Sequence, residues 1–394
     1  MVYMGKVAFC GGKIYDTKSR SFVEATVICR DGMFESIDLS CARPADCTVK
    51  NMDGRYMIPG LVDVHTHGRG GYDFTGISET TMLKIMRSYA SVGTTSVMAT
   101  LASAKLPCLR DSIYVANNYR AMGNAPGCAN LIGIHLEGRY LNPDKRGAHA
   151  AALLANPEIE EYSELISLML PTPAHVSCAP EIPGSKEFIT YLRDLGITVG
   201  IAHTNASYEE SMNAISMGAT SFTHTFNAMV GMSHRAPGTV GAALTCDNAY
   251  AELICDGFHV HPEVVKMVYR VKPKDKLVLI TDSMEAAGCP DGTYGIAGMP
   301  VKVVNGRAIN ADGAIAGSTL SLFAAVCNIM RFAGATLEEV LPAATINPAR
   351  MVGADSLVGS IKAGKRADFI IIDDPKHPSV SSVYIAGEKV QADF

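Results

Sequence analysis

Residues Gly133 to His149 have the sequence GIHLEGRYLNPDKRGAH, and this stretch determines how the rest of the chain is interpreted. It opens inside an apolar strand that begins at Leu131, and it places Glu137 where that strand meets a loop rich in Gly, Pro and Lys. A charge at such an edge is costly unless a metal ion, a basic side chain or solvent pairs with it. The remaining sequence must show which partner is present.

Short apolar strands alternate with segments of helical period through the middle of the chain. Ser207 and Glu210, for example, have the spacing of a capping box at the start of a helix. Eight strands are predicted: Leu61 to His65, Ser96 to Thr100, Leu131 to Glu137, His175 to Ala179, Thr198 to His203, Thr220 to His224, Glu252 to Asp256 and Leu277 to Asp282. Eight strands with short helical crossovers favour an α/β fold, a (β/α)8 TIM-type barrel, over an open doubly wound sheet.

The two ends of the chain have a different pattern, with short β-type runs separated by turn signals such as Asp31-Gly32. Neither end has enough strands for a core of its own, so we expect both to pair into one small β-sandwich domain. The predicted domains are residues 1–58 with 350–394 for the sandwich, and 59–349 for the barrel.

The composition argues against several classes of function. The net charge of −5 offers no basic patch, so no nucleic-acid partner is expected. No apolar run approaches the roughly 20 residues of a membrane span, and the N-terminal MVYMGKVAFCGG lacks the apolar core of a signal peptide. The 11 Cys are scattered and odd in number, which favours reduced thiols over a disulfide framework. We therefore expect a cytoplasmic protein without a membrane partner.

Polar residues stand at the carboxyl ends of five predicted barrel strands: His65 and His67, Glu137, His203, His224, and Asp282. Because these ends converge on one face of a barrel, the side chains are expected to be neighbours. A single strand-end His is usually structural, but five matches in register favour a site. Glu137, His203 and His224 form a two-His, one-carboxylate set that leaves a position open on a divalent metal. Asp282 is then a candidate general base, or alternatively a helix N-cap.

Several motifs resemble the metal-dependent amidohydrolases and, within them, the N-acetylglucosamine-6-phosphate deacetylase family. PGLVDVHTHG from Pro59 is shared broadly. The more specific ones are HLEGRYLNPDKRGAH from His135, AHTNASYEE from Ala202, THTFNAM from Thr223, HRAPGTVGA from His234, DGFHVHP from Asp256, TDSMEAAG from Thr281 and DGAIAGSTL from Asp312. The resemblance implies hydrolysis of the N-acetyl group of a sugar phosphate, with Glu137, His203 and His224 binding the main metal and Asp282 acting as acid and base.

The resemblance also assigns residues to the substrate. His149 would lie near the acetyl carbonyl and stabilise the oxyanion. The sugar phosphate would be held by a further set: Asn227, Ala228, Arg235, His259, Ile315, Ala316 and Gly317. Arg235 can reach across from a neighbouring subunit in this family, which implies a homodimer.

The resemblance leaves some questions open. Members that keep both His65 and His67 can hold a second metal, bridged by Glu137, so one or two metals per subunit are expected. Zinc is expected first, and iron(II), cobalt(II) and manganese(II) are compatible with these ligands. Arg139 stands where the family commonly has proline, and it either touches substrate or pairs with a local acid.

Three alternative functions remain. The first is an enzyme that acts on the galacto epimer of the sugar, which differs from the gluco form at one hydroxyl only. A cyclic-amide hydrolase would need a carboxylated lysine after the fourth strand, where Cys178-Ala179-Pro180 stands instead. A non-catalytic scaffold relative would be expected to have lost ligands.

Overall fold

The computed structural model describes residues 5–123, 125–311 and 313–391. Asp312, which begins one of the motifs above, and the outermost residues of the predicted small domain lie outside these ranges. The central sheet has eight parallel strands: β1 (Leu61–Asp63), β2 (Thr94–Leu101), β3 (Asn130–Glu137), β4 (Ala174–Cys178), β5 (Thr198–Ile201), β6 (Ser221–Phe222), β7 (Tyr250–Ile254) and β8 (Leu277–Ile280). They pair in sequence order from β1 to β8, so all eight predicted strands are confirmed.

The seam between β1 and β8 is joined by side-chain and backbone hydrogen bonds. Asp63 Oδ2 accepts a hydrogen bond from Thr281 Oγ1 at 2.6 Å. One step further along the chain, the backbone N–H of Asp282 donates to the carbonyl of His65 at 2.9 Å. These bonds bring the carboxyl ends of the first and last strands together, although their sequence positions are more than two hundred residues apart.

A helix follows each barrel strand: α1 (Glu79–Ser91), α2 (Leu106–Ala121), α3 (Ile159–Met169), α4 (Ser185–Asp194), α5 (Tyr208–Met217), α6 (Gly238–Thr245), α7 (Pro262–Val271) and α8 (Leu322–Ala333). Ser207 and Glu210 form the predicted capping box of α5. Short helical segments complete the set: Pro143–Lys145, Ala151–Leu153, Leu337–Val340, Leu341–Ala344 and Ile346–Met351. Within the described part of the chain, no helix is long and apolar enough to cross a membrane.

The chain ends form two further sheets. One contains Met33–Asp38, Thr26–Arg30, Val7–Cys10 and Thr48–Asn51; the other contains Glu388–Lys389, Val380–Ile385, Phe369–Ile372, Tyr56–Pro59, Lys13–Asp16 and Ser21–Glu24. Both ends share the second sheet, because Phe369–Ile372 pairs antiparallel with Tyr56–Pro59. The predicted second domain built from both chain ends is therefore confirmed, and its bounds of 1–58 and 350–394 stay a prediction.

An unpredicted three-stranded sheet lies between β8 and α8, at Gly292–Ile296, Met299–Val304 and Arg307–Asn310. Its last two strands are joined by Asn305-Gly306, both with positive φ (51° and 71°). An Asn-Gly pair between alternating residues is a hairpin signal, and it was available in the sequence. This sheet contributes Ile296 to the wall of the cavity described below. A smaller hairpin, Gly68–Arg69 with Tyr72–Asp73, follows β1.

Candidate active site

The strand-end residues lie together at the carboxyl face of the barrel, as predicted. His65 and His67 follow β1, and Glu137 is the last residue of β3. His203, His224 and Asp282 lie two residues after the ends of β5, β6 and β8, which are shorter than predicted. Apart from the partly exposed Asp282, these side chains are buried. Residues that follow or end five strands thus form one polar cluster at the mouth of the barrel.

The carboxylate of Glu137 is the centre of this cluster, and its two oxygens face different histidines. Oε2 lies 2.8 Å from Nε2 of His67 and 3.2 Å from Nε2 of His65. Oε1 lies 3.0 Å from Nε2 of His224 and 3.4 Å from Nε2 of His203. One carboxylate is therefore shared between two pairs of imidazoles.

Asp282 lies beside the first of these pairs. Its Oδ1 is 3.3 Å from Nε2 of His67 and 3.6 Å from Nε2 of His65. The alternative prediction, that Asp282 caps a helix, is wrong: the next helix, α8, begins at Leu322 and has Ser321 as its N-cap. The carboxylate is free to act in the site.

Three site residues have a left-handed backbone conformation, with φ of 43° at His203, 31° at His224 and 46° at Asp282. Residues other than glycine rarely adopt this backbone conformation, and backbone strain of this kind is concentrated at functional sites. Each of these residues stands just after a barrel strand, where the positive φ ends the extended conformation of that strand. The strain is consistent with a functional role.

Outer hydrogen bonds orient one imidazole in each pair. His203 Nδ1 lies 2.7 Å from the carbonyl of Lys145, which can only accept, so Nδ1 carries a proton and Nε2 faces Glu137. His65 Nδ1 lies 3.1 Å from the carboxylate of Glu252, and its Nε2 likewise faces Glu137. Metal-binding histidines have this arrangement, with one nitrogen on the metal and the other donating to an outer acceptor.

The donor set fits a divalent cation. The ligand atoms of His65, His67, Glu137 and Asp282 lie within 4.8 Å of one another, and those of Glu137, His149 and His203 form a second group of this kind. Nε2 of His203 and Nε2 of His224 are only 3.1 Å apart. Imidazole nitrogens and carboxylate oxygens converging at such distances are the ligand types of zinc and related metals.

The electrostatics of the cluster favour positive charge around the Glu137 carboxylate. Burial opposes the charge of Glu137, but the charge of His65 and hydrogen bonds from His203 and His224 hold the pKa of Glu137 well below its usual range. Although burial opposes a charge on His67, its bonds with Asp282 and Glu137 raise the pKa of that imidazole to about 10. Protons held in this way are those that a bound metal displaces.

His149 lies at the edge of the cluster and is held by Ser103. The backbone N–H of Ser103 points to His149 Nδ1 at 3.4 Å, and Ser103 Oγ lies 2.9 Å from the same nitrogen. Because the N–H can only donate, Nδ1 accepts and the ring proton is on Nε2. Burial, followed by repulsion from His203, lowers the pKa of His149 to about 3. The ring is therefore neutral at physiological pH and can donate from Nε2.

A cavity of about 400 Å³ opens above the cluster. Most of the residues assigned to substrate by resemblance line it together with the metal ligands: Asn227, Ala228, His259, Ile315, Ala316 and Gly317. His259 Nδ1 is 2.6 Å from Asp256 Oδ2, which fixes this ring as well. Arg235 differs from the others, because it is exposed and does not line the cavity. Asp144 and Lys145, which were not predicted to be site residues, do line it.

Arg139 pairs with a local acid and does not line the cavity. Its Nε and Nη2 each lie 2.7 Å from an oxygen of Glu161, near the start of α3, and Nη1 points to the carbonyl of Leu153. A bidentate pair of this kind fixes both position and orientation. Arg139 therefore holds the loop after β3 against α3.

The sequence analysis did not identify Glu252 or Ser103 as site residues. Glu252 is fully buried in β7 among Ala251, Leu253 and Ile254. The available signal was a single carboxylate within an apolar strand. Ser103 carried no signal, because its role depends on the loop after β2 approaching Gly138.

Comparisons with known proteins agree with this geometry. The model of the amidohydrolase family matches residues 56–390. An N-acetylgalactosamine-6-phosphate deacetylase of Escherichia coli O157:H7 is 36% identical, with 91% of this chain and 92% of that protein covered. An N-acetylglucosamine-6-phosphate deacetylase of Vibrio furnissii is 32% identical, with 85% of this chain and 82% of that protein covered.

Solved structures of similar proteins include several deacetylases, among them the following two. A mutant N-acetyl-D-glucosamine-6-phosphate deacetylase of Mycobacterium smegmatis, in complex with N-acetyl-D-glucosamine-6-phosphate, has a TM-score of 0.90 at 28% identity and covers 98% of this chain and 100% of its own. An N-acetylglucosamine-6-phosphate deacetylase of Thermotoga maritima has a TM-score of 0.85 at 31% identity, with 98% of this chain and 99% of that chain covered.

Proposed function

Because this chain belongs to the amidohydrolase family, we propose that it hydrolyses the N-acetyl group of N-acetyl-D-glucosamine 6-phosphate, giving D-glucosamine 6-phosphate and acetate in amino-sugar catabolism. The observation that carries the proposal is Glu137, shared between two pairs of imidazoles with Asp282 beside it. The names of the relatives support the sugar-phosphate substrate.

We propose that Glu137, His203 and His224 would hold the main metal, and that His65 and His67 would hold a second one, with Glu137 shared between the two sets of ligands. A divalent metal, zinc first, supplies water activation and carbonyl polarisation when bound. Iron(II), cobalt(II) and manganese(II) suit the same ligands. The split of the two Glu137 oxygens between the pairs supports two metals per subunit.

The reaction needs proton transfer and stabilisation of an oxyanion. Asp282 takes a proton from the attacking water and then delivers it to the leaving nitrogen, because an amide anion is too basic to leave unprotonated. Burial opposes a charge on Asp282, but the charge of His65 and the bond with His67 lower the pKa of Asp282 to about 2 in the metal-free site. The carboxylate therefore begins as a base. His149 donates from Nε2 to the developing oxyanion.

The sugar phosphate is held by the cavity residues Asn227, Ala228, His259, Ile315, Ala316 and Gly317. Arg235 lies outside the cavity of its own chain, and we propose that it reaches the phosphate bound to a second subunit in a homodimer. A planar guanidinium suits a phosphate because it donates two parallel hydrogen bonds. We place the enzyme in the cytoplasm, where the eleven free thiols would stay reduced.

N-acetylgalactosamine 6-phosphate is the second candidate substrate, favoured by the 36% identity to the Escherichia coli enzyme of that name. A cyclic-amide substrate has less support, since β4 ends at Cys178 and is followed by Ala179-Pro180 with no lysine. A non-catalytic scaffold has less support as well, because every matched ligand is present.

The test is release of acetate from four compounds by the zinc-loaded protein: the gluco and galacto sugar phosphates and their unphosphorylated forms. The proposal expects the gluco phosphate to be hydrolysed best and the unphosphorylated sugars to be poor substrates. A faster galacto phosphate would reassign the substrate to that epimer. Release of no acetate from any of them would end the deacetylase proposal and favour the scaffold alternative.

A further inference from the structure

The outer partners of the two orienting histidines are of different kinds. His203 donates to a backbone carbonyl, which any residue at position 145 would supply. His65 instead faces the carboxylate of Glu252, whose Oε2 lies 3.1 Å from Nδ1. Glu252 comes from β7, which contributes no ligand to either proposed metal, and its side chain is fully buried.

A buried carboxylate in an apolar strand requires a compensating contact. Among the described residues, His65 Nδ1 is the one group that forms a hydrogen bond with the carboxylate of Glu252, and Oε1 of that carboxylate has no hydrogen-bond partner. The next nearest group, Nε2 of His175, is 3.7 Å from Oε1, which is too long for a hydrogen bond. The contact that Glu252 does make is therefore directed at one candidate metal ligand.

We propose that Glu252 is a positioning residue for the second metal. By accepting the Nδ1 proton of His65, it fixes the tautomer in which Nε2, on the side of Glu137, is the nitrogen that would bind the metal. A carboxylate in this place also makes the imidazole more basic and a better ligand. Glu252 itself touches neither substrate nor metal. This inference rests on the proposed function, because it assumes that His65 and His67 form a second metal site.

The test uses the metal-free protein titrated with Zn²⁺, with bound metal measured at equilibrium by dialysis and mass spectrometry. The wild type is expected to bind two equivalents. Glu252→Ala should bind the tighter zinc equivalent with unchanged affinity and the weaker equivalent about 10–100-fold more weakly, which is the usual effect of losing an outer partner of a metal ligand. Glu252→Gln should restore most of the affinity, because its amide oxygen still accepts from Nδ1.

Two controls separate positioning from general damage to the barrel interior. Ser177→Ala removes a buried hydroxyl in the same interior that bonds His135 Nε2 at 2.8 Å and Thr223 Oγ1 at 3.0 Å and, among the described residues, makes no hydrogen bond to His65, so both zinc equivalents should stay tight. In a His65→Ala background, Glu252→Ala should cause no further loss of zinc, because the two residues act as one unit. If the alanine variant does not fold, Glu252→Leu fills the volume and replaces it.

Unchanged affinity for both equivalents in Glu252→Ala, or equal weakening in Ser177→Ala, would overturn the inference. A wild type that binds a single equivalent would overturn it together with the two-metal assignment. If zinc binding follows the expected pattern but no acetate is released from any sugar phosphate, the inference holds and the proposed function fails.

Discussion

At the scale of single residues, the site depends on where polar atoms are placed around Glu137. The sequence could predict which histidines and carboxylates take part, because each interrupts an apolar strand at its end. It could not predict that one oxygen of Glu137 faces His65 and His67 while the other faces His203 and His224. That division depends on the rotation of one side chain, which leaves no pattern in the sequence.

His149 gives the first prediction at this scale. His149→Ala should lower turnover by roughly 10²–10³-fold, because an oxyanion donor in a site that excludes water contributes about that much. The zinc content should stay that of the wild type. Turnover of the sugar phosphate and bound zinc are measured on the same preparation. Loss of zinc in the variant would contradict the donor role and make His149 a metal ligand, since its ring lies in a group with Glu137 and His203.

At the scale of elements, the strands were predictable and their ends were less so. All eight barrel strands were located from their apolar runs, but five of them, β1, β5, β6, β7 and β8, end two residues earlier than predicted. After β5, β6 and β8 the backbone is left-handed at His203, His224 and Asp282, which ends the extended conformation of these three strands. The spacing of apolar residues indicates which residues are buried. Buried residues continue beyond the last hydrogen bond between neighbouring strands, so the pattern overestimates the length of a strand.

The prediction at this scale concerns the C-terminus of helix α6, which is bound by the buried side chain of Lys272. Its Nζ donates to the carbonyls of Ala243 at 2.8 Å and Cys246 at 2.6 Å, which lie at the C-terminus of α6. Lys272→Met should lower the free energy of unfolding by about 1–3 kcal/mol at pH 7, because two buried carbonyls lose their donor. Urea unfolding monitored by circular dichroism measures the change.

The same lysine predicts a pH dependence. Burial lowers the pKa of Lys272 to about 8, from 10.5 in the unfolded chain. Between these two values the unfolded chain binds more protons, so the stability of the wild type should rise relative to Lys272→Met as the pH increases from 8 to 10.5. A constant difference across this range would contradict a lowered pKa for Lys272 in the folded protein.

At the scale of the whole molecule, strands from the two chain ends pair in one sheet outside the barrel. This pairing was predictable, because neither end could form a core alone. The three-stranded sheet at 292–310 was missed, because its short strands are only half buried and follow β8 without a break in composition. The sheet packs on a small apolar cluster of its own, which includes Val301, Val303 and Ala308, and strands this short give a weak signal in the sequence.

Phe369 gives the prediction for the whole molecule, since it joins the C-terminal end to the N-terminal one. It is fully buried, and its ring lies 4.9 Å from that of Phe9 and 4.6 Å from that of Tyr384. Phe369→Ala should cost roughly 3–5 kcal/mol of unfolding free energy, the usual range for a buried aromatic ring. Zinc binding by the folded fraction should not change, because Phe369 is not among the residues that line the cavity. A loss below 1 kcal/mol would contradict a shared core.

The central claim is that Asp282, beside the metal ligands, carries the proton in hydrolysis of the N-acetyl group. The most direct measurement is the turnover of N-acetylglucosamine 6-phosphate by Asp282→Asn, with bound zinc determined on the same sample. We predict nearly unchanged zinc content and substrate binding, with acetate release reduced by several orders of magnitude, because an amide cannot take the proton. Turnover within about tenfold of the wild type would contradict the account.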